Sequence, residues 1–479
     1  MTDALLEIRY RPIQKLPPEL LQEIFLLCLP PPTRKEARMH PSAPSLLFGR
    51  VCSNWRILST QMPVLWRTLS IYLDEEIDGR TWLPEETWSI VPFVNAISRW
   101  LALSGECLLH VMYSESSSST HHGLLHNDRQ ILLRLVFNAA VRIETLELFA
   151  VASRLRTILS LPLPCLQRLS VQGRSSQMED REFLDNMPVL RSRNLRAITV
   201  SGMVDALTFS CIPENITELE LTSLPAYDRG WNTEHPMMHV TTALSTLKRF
   251  PNLVCCTLAI TGDAGQPLGW REPLRLSHLE CLAIVLTWQD YPGLIDVTDI
   301  LRALVLPNLR WLCIGENPQD LDLLHWTEHS SYPTQNGMRL YISPYYLKAP
   351  AILEIMTHVP QATHLSIGSC LKNLDNFEDQ WPSLASDLFH PWASMASTTG
   401  NAPCSLLEHV SVRFPSPTLM ATSIADLLHA HAILLPHLLT LRIQLARMNE
   451  HQTEVDIQED LDAIRESGVE VLVSLHAVE

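Results

Sequence analysis

The sequence has no long hydrophobic run and no surplus of basic residues. No segment reaches the roughly 18 uninterrupted apolar residues that a membrane span requires, and the N-terminus shows no basic region followed by an apolar signal core. The formal net charge of −16 gives the chain no general attraction to nucleic acid or to anionic lipid. We therefore expect an intracellular protein, cytoplasmic or nuclear, with no nucleic-acid and no membrane partner.

Cysteine is also scarce. The 479 residues include 11 cysteines, which is too few for a disulfide scaffold, and an odd number cannot all pair within the chain. Cys256, Cys281 and Cys313 lie within apolar strand patterns, where a free thiol acts as a small hydrophobic group. The sequence therefore predicts structural thiols rather than a disulfide framework.

Motifs of catalysis and cofactor binding are missing as well. The sequence contains no phosphate-binding loop, no nucleophile elbow and no papain-type cysteine motif. The densest histidine group, His121, His122 and His126, has no cysteine or carboxylate neighbours at zinc spacing. We expect a protein that is not an enzyme, with no catalytic residue, no metal and no cofactor.

Apolar residues are what the sequence has in abundance. They make up 46% of the chain, against 18% charged residues, and this balance excludes global disorder. A chain of 479 residues can form several domains or one long repeat array. The sequence therefore predicts a large hydrophobic core.

One apolar pattern recurs along most of the chain, in the form apolar-x-x-apolar-x-apolar. Apolar residues that alternate with polar ones over a few positions are typical of a β-strand with one buried face. Each copy therefore predicts a short strand. The copies begin at Ile143, Leu166, Leu195, Ile216, Leu253, Leu279, Leu309, Ala362, Leu407, Leu438 and Val469, with a shorter copy at Leu340.

A helical pattern closed by proline or glycine precedes several of these strands. Proline cannot continue a helix and glycine accepts a left-handed C-terminal conformation, so both mark the junction from helix to strand. The repeating unit is thus a helix, a tight turn and a strand. The predicted helices span residues 244–250, 300–306, 352–359, 424–435 and 461–467.

This alternation predicts an α/β fold in which parallel strands are joined by right-handed crossovers and stack into a solenoid. Over residues 108–475 the pattern resembles an irregular leucine-rich-repeat array, although the asparagine of a standard repeat is mostly absent. A doubly wound sheet also alternates helix and strand and remains the alternative, but so many strands would make a very large open sheet.

Three apolar patches near the N-terminus occur in a fixed order. Prolines suit the first turn of a helix, so we expect a helix over residues 18–29, then two short helices and a strand over residues 65–73. A polar insert over residues 30–44 separates the first two helices. The patches read Leu16-Pro17-Pro18-Glu19-Leu20-Leu21 with Ile24-Phe25, then Val51-Cys52 with Trp55-Arg56, then Leu65-Trp66.

These three patches resemble an F-box, the small helical module by which substrate receptors attach to the Skp-type adaptor of SCF-type ubiquitin ligases. The resemblance implies an F-box-like domain over residues 10–72, which docks that adaptor and through it a cullin-based ligase. The adaptor-binding residues that the resemblance implies are Leu16, Pro17, Leu20, Leu21, Ile24, Phe25, Val51, Cys52, Trp55, Leu65 and Trp66.

The remaining residues, 73–479, would form the leucine-rich-repeat-like solenoid, with a long loop insertion near residues 377–402. Alternate strand residues face away from the core and are candidates for contact with a protein target. Glu144, Glu147, Glu218 and Glu220 lie at or beside such positions and suggest an acidic surface for a basic target, although ordinary solubility is the simpler explanation for them.

Two functions are therefore open from the sequence. The first is a substrate-receptor subunit of an SCF-type ubiquitin ligase, in which the F-box docks the adaptor and the repeats bind an unknown protein target. The second is a non-enzymatic repeat scaffold for protein–protein interaction, without a role in ubiquitination.

Overall fold

We analysed a computed structural model of the chain. It describes residues 16–29, 43–72, 90–115, 126–174, 188–201, 214–222, 238–261, 273–286, 297–315, 337–343, 349–368, 406–414, 438–447 and 468–477, together with residues 347, 388, 404, 462 and 465–466. The chain divides into two compact units. The first contains residues 1–216 and 224–234, and the second contains residues 217–223 and 235–479.

Three short helices open the first unit. Helix α1 spans Pro18–Leu27, α2 spans Pro44–Val51 and α3 spans Ser53–Thr60. Pro18 and Pro44 each occupy the first helical turn, where a missing N–H costs no hydrogen bond. A 3₁₀ turn, Pro63–Trp66, then leads directly into the first strand. The predicted order of one helix, two shorter helices and a strand is confirmed.

The rest of the first unit is a sheet of parallel strands, β1 to β5, each paired with its neighbours in chain order. The strands span Thr68–Tyr72, Leu109–Ser114, Ile143–Val151, Arg168–Arg174 and Ala197–Ser201. Helices α4 (Ile90–Leu103), α5 (His126–Phe137) and α6 (Ala152–Leu159) connect the strands, with 3₁₀ turns at Ala140–Arg142 and Pro188–Arg191.

The second unit repeats the same arrangement. Its main strands, in order of pairing, are β6 (Glu218–Thr222), β8 (Cys255–Thr261), β10 (Cys281–Leu286), β12 (Trp311–Gly315), β13 (Met338–Ile342), β14 (Ala362–Ile367), β15 (His409–Phe414), β16 (Thr440–Arg447) and β17 (Glu470–Ala477). All these pairings are parallel. The helices are α7 (Val240–Arg249), α8 (Val297–Ala303) and α9 (Ala349–His358).

Short additional strands lie beside this main series. Strand β7 (Met238–His239) pairs with β8, and β9 (Leu274–Arg275) pairs with β11 (Leu304–Val305). The second pairing changes one sequence expectation, because the helix predicted over residues 300–306 ends at Ala303 and its last residues join a two-stranded ladder instead. Backbone pairing with residues 274–275 is a non-local contact that the helical spacing of this segment could not indicate.

The leucine-rich part of the core lies on one face of the sheet in each unit. The apolar positions of the repeated motif, such as Leu146, Leu169, Leu258 and Ile284, are buried on that face, and each is level with its counterpart in the next strand. Every copy of the motif predicted from Ile143 onward forms a strand, and the prediction of a parallel α/β array is confirmed. The predicted helix at residues 424–435 lies outside the described residues. The insertion near 377–402 does too, apart from Leu388, which is buried.

Asparagine side chains link successive turns within each unit. Asn194 and Asn308 each precede the first leucine of a motif, and their Nδ2 groups donate to Pro164 O at 2.7 Å and Ser277 O at 2.6 Å. Asn215 Nδ2 likewise donates to Arg193 O at 2.9 Å. The asparagine of a standard leucine-rich repeat is mostly absent from this sequence. The asparagines described here occupy a different position, directly before the strand motif, and each joins its repeat to the preceding repeat.

We expect Asn308→Ala to lower the free energy of unfolding by about 1 kcal/mol, because the carbonyl of Ser277 loses its side-chain donor. Urea unfolding of the full chain measures this as a lower midpoint with an unchanged slope. Asn138→Ala is the matched control, since the described part of the chain gives that exposed side chain no hydrogen bond. Equal midpoints for the two variants would contradict a stabilising role for Asn308.

Candidate functional site

An aromatic cluster holds the three N-terminal helices together. The ring of Phe25 in α1 stacks on that of Phe48 in α2, with centroids 4.0 Å apart and planes 7° from parallel. Trp55 in α3 meets Phe25 edge-on at 4.9 Å and Phe48 at 6.1 Å. Arg56 Nε also donates to Gly49 O at 2.7 Å, which ties α3 to α2. This cluster fixes the angles between the helices and so positions the residues on their outer faces.

The 3₁₀ turn joins these helices to the rest of the first unit. Trp66 is buried, and its indole N–H donates to Ser59 O in α3 at 2.9 Å. Its ring also meets Trp100 in α4 edge-on, with centroids 4.9 Å apart. Trp66 therefore contacts both the N-terminal helices and the first helix that follows β1.

The residues predicted to bind an adaptor divide into buried and accessible groups. Leu21, Phe25, Leu65 and Trp66 are buried among the helices and their turn, so they shape the surface from below. Cys52 caps α3, where its thiol accepts the backbone N–H of Trp55 at 3.5 Å, and both residues are half-buried. The exposed residues of the set are Pro17, Leu20, Ile24 and Val51, and Leu16 is half-buried.

An exposed apolar row follows one face of α1. Leu20, Ile24 and Leu27 are spaced four and three residues apart, so they lie above one another on the helix. Their exposed fractions are 46%, 36% and 85%. We call these three residues the α1 row. Leu26 is exposed as well but points to a different side of the helix.

A second pair of exposed apolar residues lies on α2, where Leu47 and Val51 are four residues apart. Ile57 on α3 is also exposed. Sequence reasoning did not select Leu27, Leu47 or Ile57, although the four- and three-residue spacing from Leu20 and Ile24 was sufficient to find Leu27. Leu47 gave the same signal through its four-residue spacing from Val51, whereas Ile57 gave none, because it could equally have been a core residue.

Two of the candidate acidic residues have basic neighbours in the first unit. Glu144 Oε2 lies 2.9 Å from a guanidinium nitrogen of Arg67, and Glu147 Oε1 lies 2.9 Å from Nε2 of His110. Both carboxylates are half-buried. Arg67 therefore offsets part of the charge of Glu144, and Glu147 has a hydrogen-bond contact with His110, so both carboxylates have interactions within the unit.

Glu218 and Glu220 belong to the second unit, where both are half-buried on β6. They point to the same face of the sheet, because alternate residues of a strand share a face. Glu218 is level with Cys255 on the neighbouring strand, and Glu220 is level with Thr257.

The sheet face opposite the leucine core is less accessible than the alternation suggested. In the second unit, Ala283, Cys313 and Tyr341 occupy this face and are buried together, with Trp311 packed against them. The Tyr341 hydroxyl donates to Gly368 O at 2.8 Å. The expectation that alternate strand positions face solvent is therefore wrong for these residues, which restricts a binding surface to the half-buried positions around them.

A pair of histidines lies farther along the same face. His364 and His409 are level with each other on β14 and β15, and their ring centroids are 4.4 Å apart. Burial lowers the pKa of His364 from 6.5 to about 4, with His409 and Arg339 acting in the same direction. Burial and Arg339 also lower the pKa of His409, against the opposite effect of Glu408 and Glu470. Thr363 Oγ1 lies 2.8 Å from His364 Nδ1.

We expect the chain to lose stability as the pH falls from about 6.5 toward 4, because the unfolded state then binds protons that the half-buried histidine pair does not bind. His364→Gln should reduce this loss, measured as the change in urea midpoint across that pH range. His278→Gln removes an exposed histidine outside the pair and should keep the wild-type profile. A His364→Gln profile that matches the wild type would contradict this assignment.

Among the residues that the structure describes, no three His, Cys, Asp or Glu side chains are grouped so as to hold a metal ion. No helix within the described ranges has the length and apolar character needed to cross a lipid bilayer. In comparisons with known proteins, neither a protein-family model nor a curated protein matches this chain.

Proposed function

We propose that the protein is a substrate-receptor subunit of an SCF-type ubiquitin ligase. The N-terminal helices would dock a Skp-type adaptor, and through it a cullin-based ligase, while the repeat array binds a protein target. The observation that carries the proposal is the α1 row, an exposed apolar surface on helices whose own aromatic core is already complete. The resemblance of Leu16–Phe25, Val51–Arg56 and Leu65–Trp66 to an F-box names the partner.

The side chains of the α1 row have more free energy to gain from binding a partner than they contribute to folding. Leu27 is 85% exposed, so its side chain contributes little to the core of the unit. Burying a leucine against a partner gains about 1.5–3 kcal/mol, and such apolar anchors on a rigid support are typical of binding hot spots. Phe25, Phe48 and Trp55 supply that rigid support.

The receptor itself would carry out no covalent chemistry. By binding the adaptor and the target at once, it would hold a target lysine near the ubiquitin-loaded enzyme and raise the effective concentration of the two reactants. Such a role needs precise positioning but no catalytic residue, metal or cofactor.

Replacing the α1 row tests the docking surface. We expect Leu20→Gln, Ile24→Gln and Leu27→Gln together to weaken binding of a purified Skp-type adaptor by about a hundredfold or more, because each tenfold loss corresponds to about 1.4 kcal/mol. Isothermal titration calorimetry measures the affinity, and circular dichroism checks that the helices remain. Trp66 is left unchanged, since its replacement would act on the fold.

Leu26→Gln is the matched control for this experiment, since it removes an exposed leucine from another side of the same helix. It should bind the adaptor as the wild type does. A folded triple variant that binds as tightly as the wild type would exclude the α1 row as the docking surface. A wild-type chain that does not bind the adaptor would exclude the ligase role.

The target side of the proposal rests on the acidic residues of the sheet. Glu218 and Glu220 lie on the same face of one strand, β6, so replacing both removes two carboxylates from a single surface. We expect Glu218→Gln with Glu220→Gln to weaken binding of an oligolysine peptide and to make that binding less sensitive to salt, because two carboxylates are lost. Fluorescence anisotropy at several NaCl concentrations measures both effects.

Glu19→Gln with Glu23→Gln is the control for the loss of two charges, because both residues are exposed on α1. That variant should retain the wild-type affinity and salt dependence. If both double variants weakened binding equally, only the net charge of −16 would be involved, and the acidic surface for a basic target would be excluded.

A repeat scaffold without a ubiquitin role is the second candidate. The observation in its favour is that Leu21, Phe25, Leu65 and Trp66 are all buried by the chain itself. In that case the N-terminal helices serve to cover the start of the array, and Trp66 meets Trp100 for that purpose alone. The adaptor titration described above separates the two candidates.

A further inference from the structure

Two cysteines lie side by side in the second unit, on the sheet face opposite the leucine core. Cys255 in β8 and Cys281 in β10 are level with each other in adjacent parallel strands. Both are half-buried free thiols. Their neighbour Cys256 is buried on the opposite, core face, because adjacent strand residues point to opposite sides. The described residues thus bring together two thiols that belong to different strands and lie 26 positions apart in the sequence.

The two thiols already interact. A side-chain hydrogen bond with Cys255 is the main cause that raises the pKa of the Cys281 thiol far above its usual range, followed by burial and the charge of Glu280. The Cys281 thiol therefore stays protonated while it lies beside Cys255. Arg310 acts in the opposite direction and also lies 3.8 Å from the carboxylate of Glu280.

The backbone places the pair within reach of a covalent bond. Neighbouring strands lie about 4.8 Å apart, so residues that are level in a parallel pair have Cα atoms at about that separation. Natural disulfides join residues whose Cα atoms are about 4.4–6.8 Å apart. The Cβ atoms of level residues lie at about the same separation, slightly above the roughly 3.5–4.5 Å of natural disulfides, so a bond between the two sulfurs needs side-chain rotation and a small local approach of the two strands, but no change of register.

From this register and this contact we infer that Cys255 and Cys281 are a modification site, a dithiol that low-molecular-weight disulfides such as glutathione disulfide oxidise reversibly to a cross-strand disulfide. In a reducing compartment such a pair is dithiol at rest and forms the bond only under oxidising conditions. Nothing in this inference depends on the ligase role.

The reaction proceeds by two exchanges. Cys255 first loses its proton to solvent, and its thiolate attacks one sulfur of the small disulfide, whose S–S bond breaks, so that a mixed disulfide forms and one small thiolate leaves. Cys281 then gives its proton to that thiolate and attacks the Cys255 sulfur, and the second small thiolate leaves and takes up a proton from solvent. Two protein thiols lose two electrons, and one small disulfide is reduced to two thiols.

The position of the pair gives the oxidation a consequence. Cys255 is level with Glu218 on one side, and Cys281 is level with Trp311 on the other, so the row across four strands reads Glu218, Cys255, Cys281, Trp311. A disulfide in the middle of this row links β8 to β10. It also removes two polar S–H groups from the face that carries Glu218.

Peptide mapping of the full chain tests the inference. After incubation with glutathione disulfide, we expect one linked peptide that contains Cys255 and Cys281, with a mass lower by two hydrogens and restored by a thiol reductant. A Cys256→Ala background makes the assignment unambiguous, because Cys255 and Cys256 are adjacent. Circular dichroism confirms that this variant is folded.

Two cysteine variants serve as controls. Cys28→Ser removes an exposed thiol on another part of the chain and should leave the linkage intact. Cys281→Ser should leave Cys255 as a mixed disulfide with glutathione. Two separate mixed disulfides at Cys255 and Cys281, or two thiols that remain open to alkylation, would overturn the inference.

A trivalent arsenical provides a second measurement on the wild-type chain, since one arsenic atom bridges two neighbouring thiols. It should protect Cys255 and Cys281 from alkylation together, and Cys281→Ser should abolish the protection of Cys255. Independent alkylation of both residues in the presence of the arsenical would show that their sulfurs do not meet, and would overturn the inference without relying on oxidation.

Discussion

The parallel ladder of backbone hydrogen bonds is the constraint on which the rest of this structure depends. Several motifs enter the ladder through an amide that donates to the preceding motif, as in Arg196 N to Gln167 O, Arg310 N to Glu280 O and Leu439 N to Glu408 O. A single helix–turn–strand unit has only a few apolar residues and cannot bury them alone. It becomes stable when neighbours on both sides complete its core and its backbone pairing. The asparagines before the strands add a second connection to the same neighbour.

The regular register of this ladder also brings reactive side chains together on the sheet face opposite the leucine core. Because like positions of the motif lie level in adjacent strands, single residues spaced far apart in the chain become pairs or rows. Cys255 meets Cys281 in this way, and His364 meets His409. The two pairs differ in their effect on the side chains, because burial lowers the pKa of both imidazoles, whereas the neighbouring Cys255 raises the pKa of the Cys281 thiol. A repeat fold thus provides paired side chains without any local sequence motif.

Because these pairs arise from contacts between strands, the sequence predicts some features of the structure and not others. The strands could be predicted from Ile143 to Val469 because alternation is a local signal, and the turns could be predicted because proline acts on its own backbone. Contacts across the ladder could not. Arg67 pairs with Glu144, which lies 77 residues away in the chain. Tyr341 is buried, although the alternation in its own strand predicts that it faces solvent. Among the helices, Leu20 and Leu21 are adjacent leucines, yet only the packing of α2 and α3 makes one exposed and the other buried.

The same contrast between Leu20 and Leu21 bears on function. Leu21, Phe25 and Phe48 complete a core that needs nothing from the outer face, and Trp66 extends that core to Trp100. Single exposed leucines are common on protein surfaces and require no explanation. Three exposed apolar residues on one face of a ten-residue helix are a different case, since solubility favours polar residues there. Glu23 is the charged residue that lies beside them. A partner that covers Leu20, Ile24 and Leu27 would gain the free energy of burying these side chains without altering the core beneath, because they remain exposed after the chain has folded.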